Sequence, residues 1–482
     1  MNRLKLPFYF KPLAVAISGI CFYFGFELSG DYGWLLWIAP IPIFYVSLFV
    51  KPKSALFLAF IAYTIGRLSW LGYLLLVLPV PLAIAFTLLL PIVFALVVVF
   101  ARKIHLIARH WFTVLAFPIL FTAFEYLLFL FSKDGTAASI AYHQSNYITF
   151  IQVASITGIL GITFQTTLFP SAIALIFYWR RNSISKQLAA LLGIVYGVVF
   201  IFGWIRLNEK TEGQTRLLGL VTIDESNYKG AYQHDRAKEN LLTELYLQET
   251  SKLADLGAQT ILLPEKAIFV NDSNKSEILN RFSRLAADRK IKIVLGATDQ
   301  KTGYYLNNAW VFGENGKILS DYQKVNLFEG EAIDGCKPGK KTHAIFNSGT
   351  MNEGVAICKD MDFQQFIQGY SIKSPGILYV PAWDFVVDGW MHSRMAILRC
   401  VEGGFALVRN ARQGRLTIND WRGNILSEEN SESGNRTVLL GKLFAEPHPT
   451  IYAKAGDWLG MLCLLASLGL IVYELRQRKK IS

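Results

Sequence analysis

The stretch "GVAICKD", residues 354–360, runs from small and apolar residues into a single cysteine and then directly into charge. Near-continuous apolar residues predict a strand that is buried on both faces and ends at Cys358. A cysteine taken alone is most often a small buried hydrophobic residue. Whether Cys358 does more depends on the compartment around it and on which other residues end strands nearby.

The first half of the chain has the composition of a membrane protein. Of 482 residues, 52% are hydrophobic and only 17% are charged, and a helix that crosses a bilayer needs about 20 mostly apolar residues. The segments that satisfy this lie near residues 12–30, 34–50, 54–76, 80–101, 112–131, 150–178, 187–205 and 457–474. We therefore expect a polytopic α-helical membrane domain of about eight spans, seven of them before residue 206.

Basic residues mark every second loop between these spans. They are Lys5, Lys11, Lys51, Lys53, Arg102, Lys103, Arg109, Arg180, Arg181, Lys186, Arg476, Arg478, Lys479 and Lys480. The alternate short loops at 29–33 and 77–81 contain neither Lys nor Arg. Because Lys and Arg are retained on the cytoplasmic side, we expect both termini in the cytoplasm and the polar segment 206–456 outside it.

The net charge of +12 is explained by the same loops. It suits membrane orientation and anionic lipid headgroups, and the polar segment has no basic stripe with interleaved aromatic residues, so we expect no nucleic-acid partner. Three cysteines, Cys336, Cys358 and Cys400, lie in that segment. Since the number is odd in a compartment that favours disulfides, at least one thiol should stay unpaired.

The polar segment alternates strand and helix patterns. Apolar runs predict strands over 217–223, 260–265, 291–298, 354–360, 376–384 and 404–410, and helical periodicity predicts helices over 232–256, 276–289, 362–374 and 389–403. Two hairpins follow from turns at Asn315-Gly316 and Arg422-Gly423. We therefore expect one α/β domain with a mixed sheet.

Two kinds of site are excluded by spacing. The run "GCKPGKKT" at 335–342 has three residues between its glycines where a phosphate loop needs four. The histidines are scattered and form no zinc motif, so we expect neither a metal nor another cofactor.

Three reactive residues remain, each at the end of a predicted strand: Glu265, Lys324 and Cys358. Strand ends often meet at one edge of a sheet, which is where α/β proteins bind ligands.

These residues lie in motifs that resemble those of the nitrilase, or carbon-nitrogen hydrolase, superfamily. The motifs are "LLPE" with Glu265, "DYQKVNLFEGE" with Lys324 and "AICKDMDF" with Cys358, followed by the family-like segment 392–414. Such a domain between seven spans and a final one is similar to the layout of the apolipoprotein N-acyltransferase family. The resemblance implies an αββα sandwich over 206–456, a membrane domain over 1–205, and a last span with a basic cytoplasmic tail over 457–482.

The resemblance also implies roles for the residues. Glu265 would be the general base, Cys358 the nucleophile that forms a thioester, and Lys324 the cation that faces the developing oxyanion. A helix beginning near Met361 would point its positive end at the sulfur and lower the pKa of Cys358. Glu331 matches the second glutamate of many nitrilases and, with Asp360, is expected to support the site.

The same resemblance implies a bacterial inner-membrane enzyme with lipid-anchored substrates. A phospholipid would donate an acyl chain to Cys358, and the N-terminal amine of a diacylglyceryl-cysteine lipoprotein would accept it. Residues expected around the substrate pocket are Phe328, Lys359, Trp383, Phe385 and Trp390. The family usually carries Tyr-Glu directly after its cysteine, whereas this chain has Lys359 and Asp360.

Two other functions fit the same sequence. The aspartate at position 360 is closer to soluble nitrilases, which suggests a membrane-tethered amidase, or an acyltransferase with a different amine acceptor. A non-catalytic membrane module that binds lipid or a partner through the same pocket belongs to a different class. It would leave Cys358 unreactive.

Overall fold

The computed structural model describes residues 6–180, 182–211, 214–232, 235–349 and 351–479. Lys5, Arg181 and Lys480 of the basic pattern, and residues 233–234 of the helix predicted over 232–256, lie outside these ranges. The chain forms two compact units. The helical unit comprises Met1–Ser132, Ala138–Leu207 and Asp457–Ser482, and the sheet unit comprises Lys133–Ala137 and Asn208–Gly456.

The helical unit contains most of the predicted spans. Within the described ranges, the helices long and apolar enough to cross a membrane are Pro52–Val77, Val80–Ala108, Trp111–Phe131, Ile159–Tyr178, Ser183–Leu207 and Trp458–Arg478. The segment predicted over 150–178 is divided at Gly158, whose φ of 66° favours glycine. Shorter helices, Ile148–Ile151 and Ala154–Thr157, precede that glycine.

The two N-terminal predicted spans form shorter apolar helices. The first, Phe10–Gly25, has 16 residues. The second is divided into Leu35–Ile38 and Pro40–Ser47. Pro40 begins the later helix because proline has no N–H to donate within a helix but is tolerated at a first position.

The sheet unit contains two sheets rather than the single mixed sheet expected from the strand pattern. Its strands are β1 Gln214–Thr222, β2 Thr260–Leu262, β3 Ile268–Asn271, β4 Lys292–Lys301, β5 Tyr304–Phe312, β6 Ile318–Gln323, β7 Ala344–Asn347, β8 Asn352–Val355, β9 Ile377–Trp383, β10 Ala406–Arg412, β11 Arg415–Asn419, β12 Ile425–Asn430 and β13 Thr437–Ala445. The first sheet has the order β13-β1-β2-β4-β5-β6, with β3 also paired to β4, and the second has the order β12-β11-β10-β9-β8-β7.

The two sheets pack face to face, and helices cover the outer face of each sheet, which gives four layers. Residues of both sheets, among them Leu218, Val294, Val355 and Val408, share one buried core between the sheets. Helices Arg236–Asp255 and Lys275–Arg289 cover the first sheet with residues such as Tyr246 and Phe282. Helices Gln364–Ile372 and Gly389–Gly403 cover the second sheet. The arrangement confirms the αββα sandwich.

Glu353 joins the two sheets through a buried charge cluster. It lies on β8 and is paired with Arg216 on β1 and Lys292 on β4. Ser348 donates a hydrogen bond to it at 2.6 Å. Burial alone would raise the pKa of Glu353, but the charges of Lys292 and Arg216 outweigh burial and lower it.

Replacing Glu353 with Gln should destabilise the protein at neutral pH. The change leaves the buried Lys292 and the half-buried Arg216 without their shared carboxylate, a loss of about 3 kcal/mol or more in the free energy of unfolding. Because the folded-state pKa is depressed, the difference from wild type should be present at pH 7 and shrink as pH falls below about 4. Thermal unfolding of the full chain in detergent would measure it, with the exposed Glu429→Gln on β12 as the control. An unfolding midpoint unchanged at pH 7 would contradict this role.

Candidate functional site

Cys358 begins a short 3-10 turn, Cys358–Asp362, that follows β8. We call this segment the nucleophile turn. Cys358 has φ +42°, a left-handed conformation that is uncommon for a residue other than glycine and that persists only where surrounding contacts enforce it. The residue is half-buried, and its sulfur donates a weak hydrogen bond to the carbonyl oxygen of Trp383 at 3.5 Å. The thiol is therefore presented at the carboxyl end of the second sheet.

Glu265 and Lys324 meet in the interior of the sheet unit. Glu265 follows β2, and Lys324 directly follows β6. The Lys324 Nζ lies 2.8 Å from Glu265 Oε1, and each side chain is only 2% exposed. The structure thus brings these two predicted site residues into direct contact although 59 positions separate them.

Glu331 adds a second carboxylate to the same cluster. It lies on the short helix Glu329–Ile333, and its Oε2 is 2.6 Å from Lys324 Nζ. Asn307, in the middle of β5, donates one hydrogen bond to Glu265 Oε1 at 2.6 Å and another to Glu331 Oε1 at 2.8 Å. Glu331 thus lies beside Glu265 and Lys324, and Asn307 bridges the two carboxylates.

Lys266 closes the cluster and was not predicted. Its Nζ lies 2.9 Å from Glu331 Oε1 and donates to the hydroxyl of Tyr305 at 3.3 Å. The residue has φ +53°, which turns the chain sharply just after Glu265. Two carboxylates and two ammonium groups thus balance in a site that is almost closed to water. The only signal in the sequence was the charged residue that follows Glu265 where the strand should end.

The charges of the cluster stabilise one another. Burial alone would lower the pKa of Lys324, but Glu265 and Glu331 outweigh burial and raise it well above its usual value. Burial alone would raise the pKa of Glu331, but Lys324 and Lys266 lower it. Lys324 and Glu331 therefore stay ionised at neutral pH.

The thiol of Cys358 behaves differently from the expectation. Burial and the negative charge of Glu265 raise the pKa of Cys358 well above its usual value, against the opposing charge of Lys324. The expected lowering by a helix is wrong because the residues after Cys358 form a 3-10 turn, and helix Gln364–Ile372 begins only later. The sulfur is therefore protonated at rest and needs a base to react.

Asp360 holds the nucleophile turn from inside. Its carboxylate accepts hydrogen bonds from the Tyr322 hydroxyl at 2.7 Å, from Asn326 N at 2.8 Å and from Ile357 N at 3.0 Å. Burial raises the pKa of Asp360 to about 6, although these hydrogen bonds oppose the rise. Asp360 thus ties the nucleophile turn to the segment that carries Lys324.

The predicted pocket residues are brought together only in part. The rings of Phe328 and Phe385 lie 5.1 Å apart, and Phe385 is exposed. Trp383 stacks on Tyr232 with ring centroids 5.7 Å apart. Trp390 packs against Arg394 on helix Gly389–Gly403.

Lys359 is held by acidic residues. Its Nζ lies 2.8 Å from Asp134 Oδ1 and 3.5 Å from Asp362 Oδ2.

The described residues contain no group of three His, Cys, Asp or Glu side chains that could hold a metal ion. All five cysteines, including Cys336 and Cys400 of the sheet unit, are free.

Family models match both parts of the chain. The model described as the apolipoprotein N-acyltransferase N-terminal domain matches residues 18–172, and the carbon-nitrogen hydrolase model matches residues 217–459. The second match covers just over half of the chain.

Similar proteins are found in several bacteria. The apolipoprotein N-acyltransferase of Geobacter metallireducens is 23% identical over 76% of this chain and 74% of its own length. That of Rickettsia prowazekii is 24% identical over 75% and 76%. The deaminated glutathione amidase of Synechocystis sp. is 27% identical over 35% of this chain and 72% of its own.

Among solved structures, an amidase from Nesterenkonia sp. is 18% identical and matches 48% of this chain and 92% of its own, with a TM-score of 0.41.

The family models and the apolipoprotein N-acyltransferase relatives span both the apolar and the sheet-forming parts of the chain. The chain therefore belongs to the carbon-nitrogen hydrolase family, joined here to a segment that matches the N-terminal domain of apolipoprotein N-acyltransferases.

Proposed function

We propose that this chain is a bacterial inner-membrane N-acyltransferase. It moves an acyl chain from a phospholipid, through a thioester on Cys358, to the N-terminal amine of a diacylglyceryl-cysteine lipoprotein. The observation that carries the proposal is the buried Glu265–Lys324 pair, whose opposite charges both act on the Cys358 thiol. The similarity to apolipoprotein N-acyltransferases, over 76% and 75% of this chain for the two relatives named above, supports the choice of substrates.

In the first step Glu265 accepts the thiol proton as the sulfur of Cys358 attacks the ester carbonyl of the phospholipid. Negative charge develops on the carbonyl oxygen, and the Lys324 ammonium stabilises it, a contribution of about 3 kcal/mol for one donor. The carbon–oxygen bond of the ester then breaks. Glu265 returns the proton to the departing alcohol of the lysophospholipid, and the acyl chain stays on sulfur.

In the second step the lipoprotein amine attacks the thioester carbonyl. A second oxyanion forms at the same place and is again stabilised by Lys324. Glu265 takes a proton from the amine nitrogen, the carbon–sulfur bond breaks, and that proton returns to the sulfur. The product is an amide, and Cys358 is regenerated as a thiol.

Glu331 and Lys266 support this chemistry without touching the reacting atoms. Glu331 holds the Lys324 ammonium together with Glu265. Lys266 neutralises Glu331, so the second carboxylate does not add uncompensated negative charge near the thiol. Under this assignment the site keeps a base that can accept a proton and a cation that stays charged.

We place the sheet unit on the extracytoplasmic side of the membrane and both termini in the cytoplasm. The distribution of Lys and Arg between the apolar segments supports this sidedness. We retain the division into a membrane domain over 1–205, a catalytic domain over 206–456 and a final span with its tail over 457–482. Lipid-anchored donor and acceptor would then reach the thiol from the membrane surface.

An amidase is the competing function, because a deaminated glutathione amidase is among the relatives. It would use the same base, cation and thiol but give the acyl group to water. Release of ammonia from small amides without phospholipid would favour it. Its match covers only 35% of the chain.

Membranes that carry the protein should convert a synthetic diacylated lipopeptide to the triacylated form when phospholipid is present. Cys358→Ala should reduce the conversion by at least about a thousandfold, because no thioester can form. Mass spectrometry of the lipopeptide measures the product. Cys21→Ala, in the first apolar helix, is the matched control and should convert normally. Undiminished conversion by Cys358→Ala in folded protein would refute the assignment.

The pH dependence of alkylation tests the electrostatic roles separately from acyl transfer. Because the charge of Glu265 raises the pKa of Cys358, Glu265→Gln should move half-maximal alkylation of Cys358 by iodoacetamide to lower pH. The same variant should lose acyl transfer, since its base is gone. Peptide mass spectrometry would follow modification at Cys358, with the exposed Glu277→Gln as control. An upward shift would show that Glu265 does not face the thiol.

A further inference from the structure

A five-residue segment packs onto the nucleophile turn from far away in the sequence. Lys133–Ala137 lies in the chain just after the apolar helix Ala116–Phe131, yet it belongs to the sheet unit. We call it the 133–137 segment. None of the sequence patterns predicted a role for it.

Two hydrogen bonds join this segment to the last residue of the nucleophile turn. The backbone N–H of Thr136 donates to the carbonyl oxygen of Asp362 at 3.0 Å, and the Thr136 hydroxyl donates to the same oxygen at 2.7 Å. Gly135 has φ +55°, and a Cβ at that position would lie 2.4 Å from the Asp362 oxygen. The two backbones therefore approach as closely as a glycine allows.

An ion pair joins the segment to the residue directly after the nucleophile. Asp134 Oδ1 lies 2.8 Å from Lys359 Nζ, and the Lys359 side chain is only 10% exposed. Burial alone would lower the pKa of Lys359, but Asp362 and Asp134 outweigh burial and raise it. A charged lysine can thus be buried beside Cys358 because Asp362 and Asp134 both stabilise its charge.

The contacts matter because Cys358 adopts a left-handed backbone conformation. Such a conformation is maintained only when the residues around it are held from several directions. Asp360 holds the nucleophile turn from the interior through Tyr322 and Asn326. The 133–137 segment holds the same turn at Lys359 and at Asp362, on either side of Asp360.

We propose that the 133–137 segment is a positioning element for Cys358, acting through the Asp134–Lys359 ion pair and the Thr136 hydrogen bonds to Asp362. Lys359 is then a positioning residue and not a ligand for substrate. The inference rests on the proposed function only in taking Cys358 as the reactive thiol. It assigns no contact with phospholipid or lipoprotein to Asp134 or Thr136.

The test measures the rate constant for alkylation of Cys358 by iodoacetamide in the full-length protein, which needs no lipid substrate. Asp134→Asn and Lys359→Gln should each slow alkylation by about three- to tenfold, and the double variant should be no slower than Lys359→Gln, because the lysine variant already lacks the Asp134 pair. Asp134→Glu, which keeps the carboxylate, should stay within about twofold of wild type. Asp134 is about half exposed, so its isosteric replacement should fold.

Matched variants separate positioning from other effects. Thr136→Val should slow alkylation as Asp134→Asn does, whereas Thr136→Ser should restore it, since serine keeps the hydroxyl. Lys252→Gln, which removes an exposed ion pair elsewhere in the sheet unit, should leave the rate unchanged.

Some outcomes would overturn the proposal. The first is that Asp134→Asn and Lys359→Gln slow alkylation independently, so that their effects add in the double variant. The second is that Asp134→Asn is alkylated at the normal rate while Lys359→Gln alone has a raised KM for phospholipid. The second result would return Lys359 to the substrate pocket. If the alkylation results hold but no lipopeptide is converted by wild type, the proposed function fails and the positioning role stands.

Discussion

The structure depends on placing ionised side chains in an interior where water cannot solvate them. Burying a charge is expensive unless it is paired and hydrogen-bonded. Lys324 meets that requirement with Glu265 and Glu331, and Lys266 balances the second carboxylate. The strands bring these groups from distant positions to one edge, so the sandwich and the site are specified together. Removing Lys324 leaves Glu265 without its ammonium partner, and removing Glu331 leaves Lys266 without its carboxylate, so the charges of the cluster depend on one another.

Cys358 differs from the residues of this cluster because its side chain is uncharged at rest. Burial and Glu265 keep Cys358 neutral at rest, so the thiol carries no uncompensated charge into the interior. In the proposed reaction the proton leaves only as the new carbon–sulfur bond forms, and Glu265 is the group available to take it. The nucleophile turn is held by Asp360 from inside and by the 133–137 segment from outside. These contacts on the nucleophile turn are what maintain the left-handed backbone conformation of Cys358.

Local sequence patterns predicted much of the fold. Apolar runs marked the strands that carry the site, and turn residues marked both hairpins. β3, β7 and β13 were not predicted, and none of them lies in one of the continuous apolar runs from which strands were predicted. The division into two sheets could not be read from the strands, since it depends on pairings between distant residues. Gly158 and Pro40 divided two apolar segments that hydropathy alone made continuous.

Site residues that end a predicted strand could be proposed from the sequence. Residues that join the site only through contacts between distant parts of the chain could not. Lys266 and Asn307 join the site through contacts with Glu331, and Asn307 also through Glu265, and these partners are distant in the chain except where Lys266 directly follows Glu265. The most direct test of the account is the intact mass of the purified protein after incubation with phospholipid. The account predicts a gain of one acyl chain, located at Cys358 by peptide mass spectrometry and removed by hydroxylamine. An unchanged mass, or an acyl group on any other residue, would contradict it.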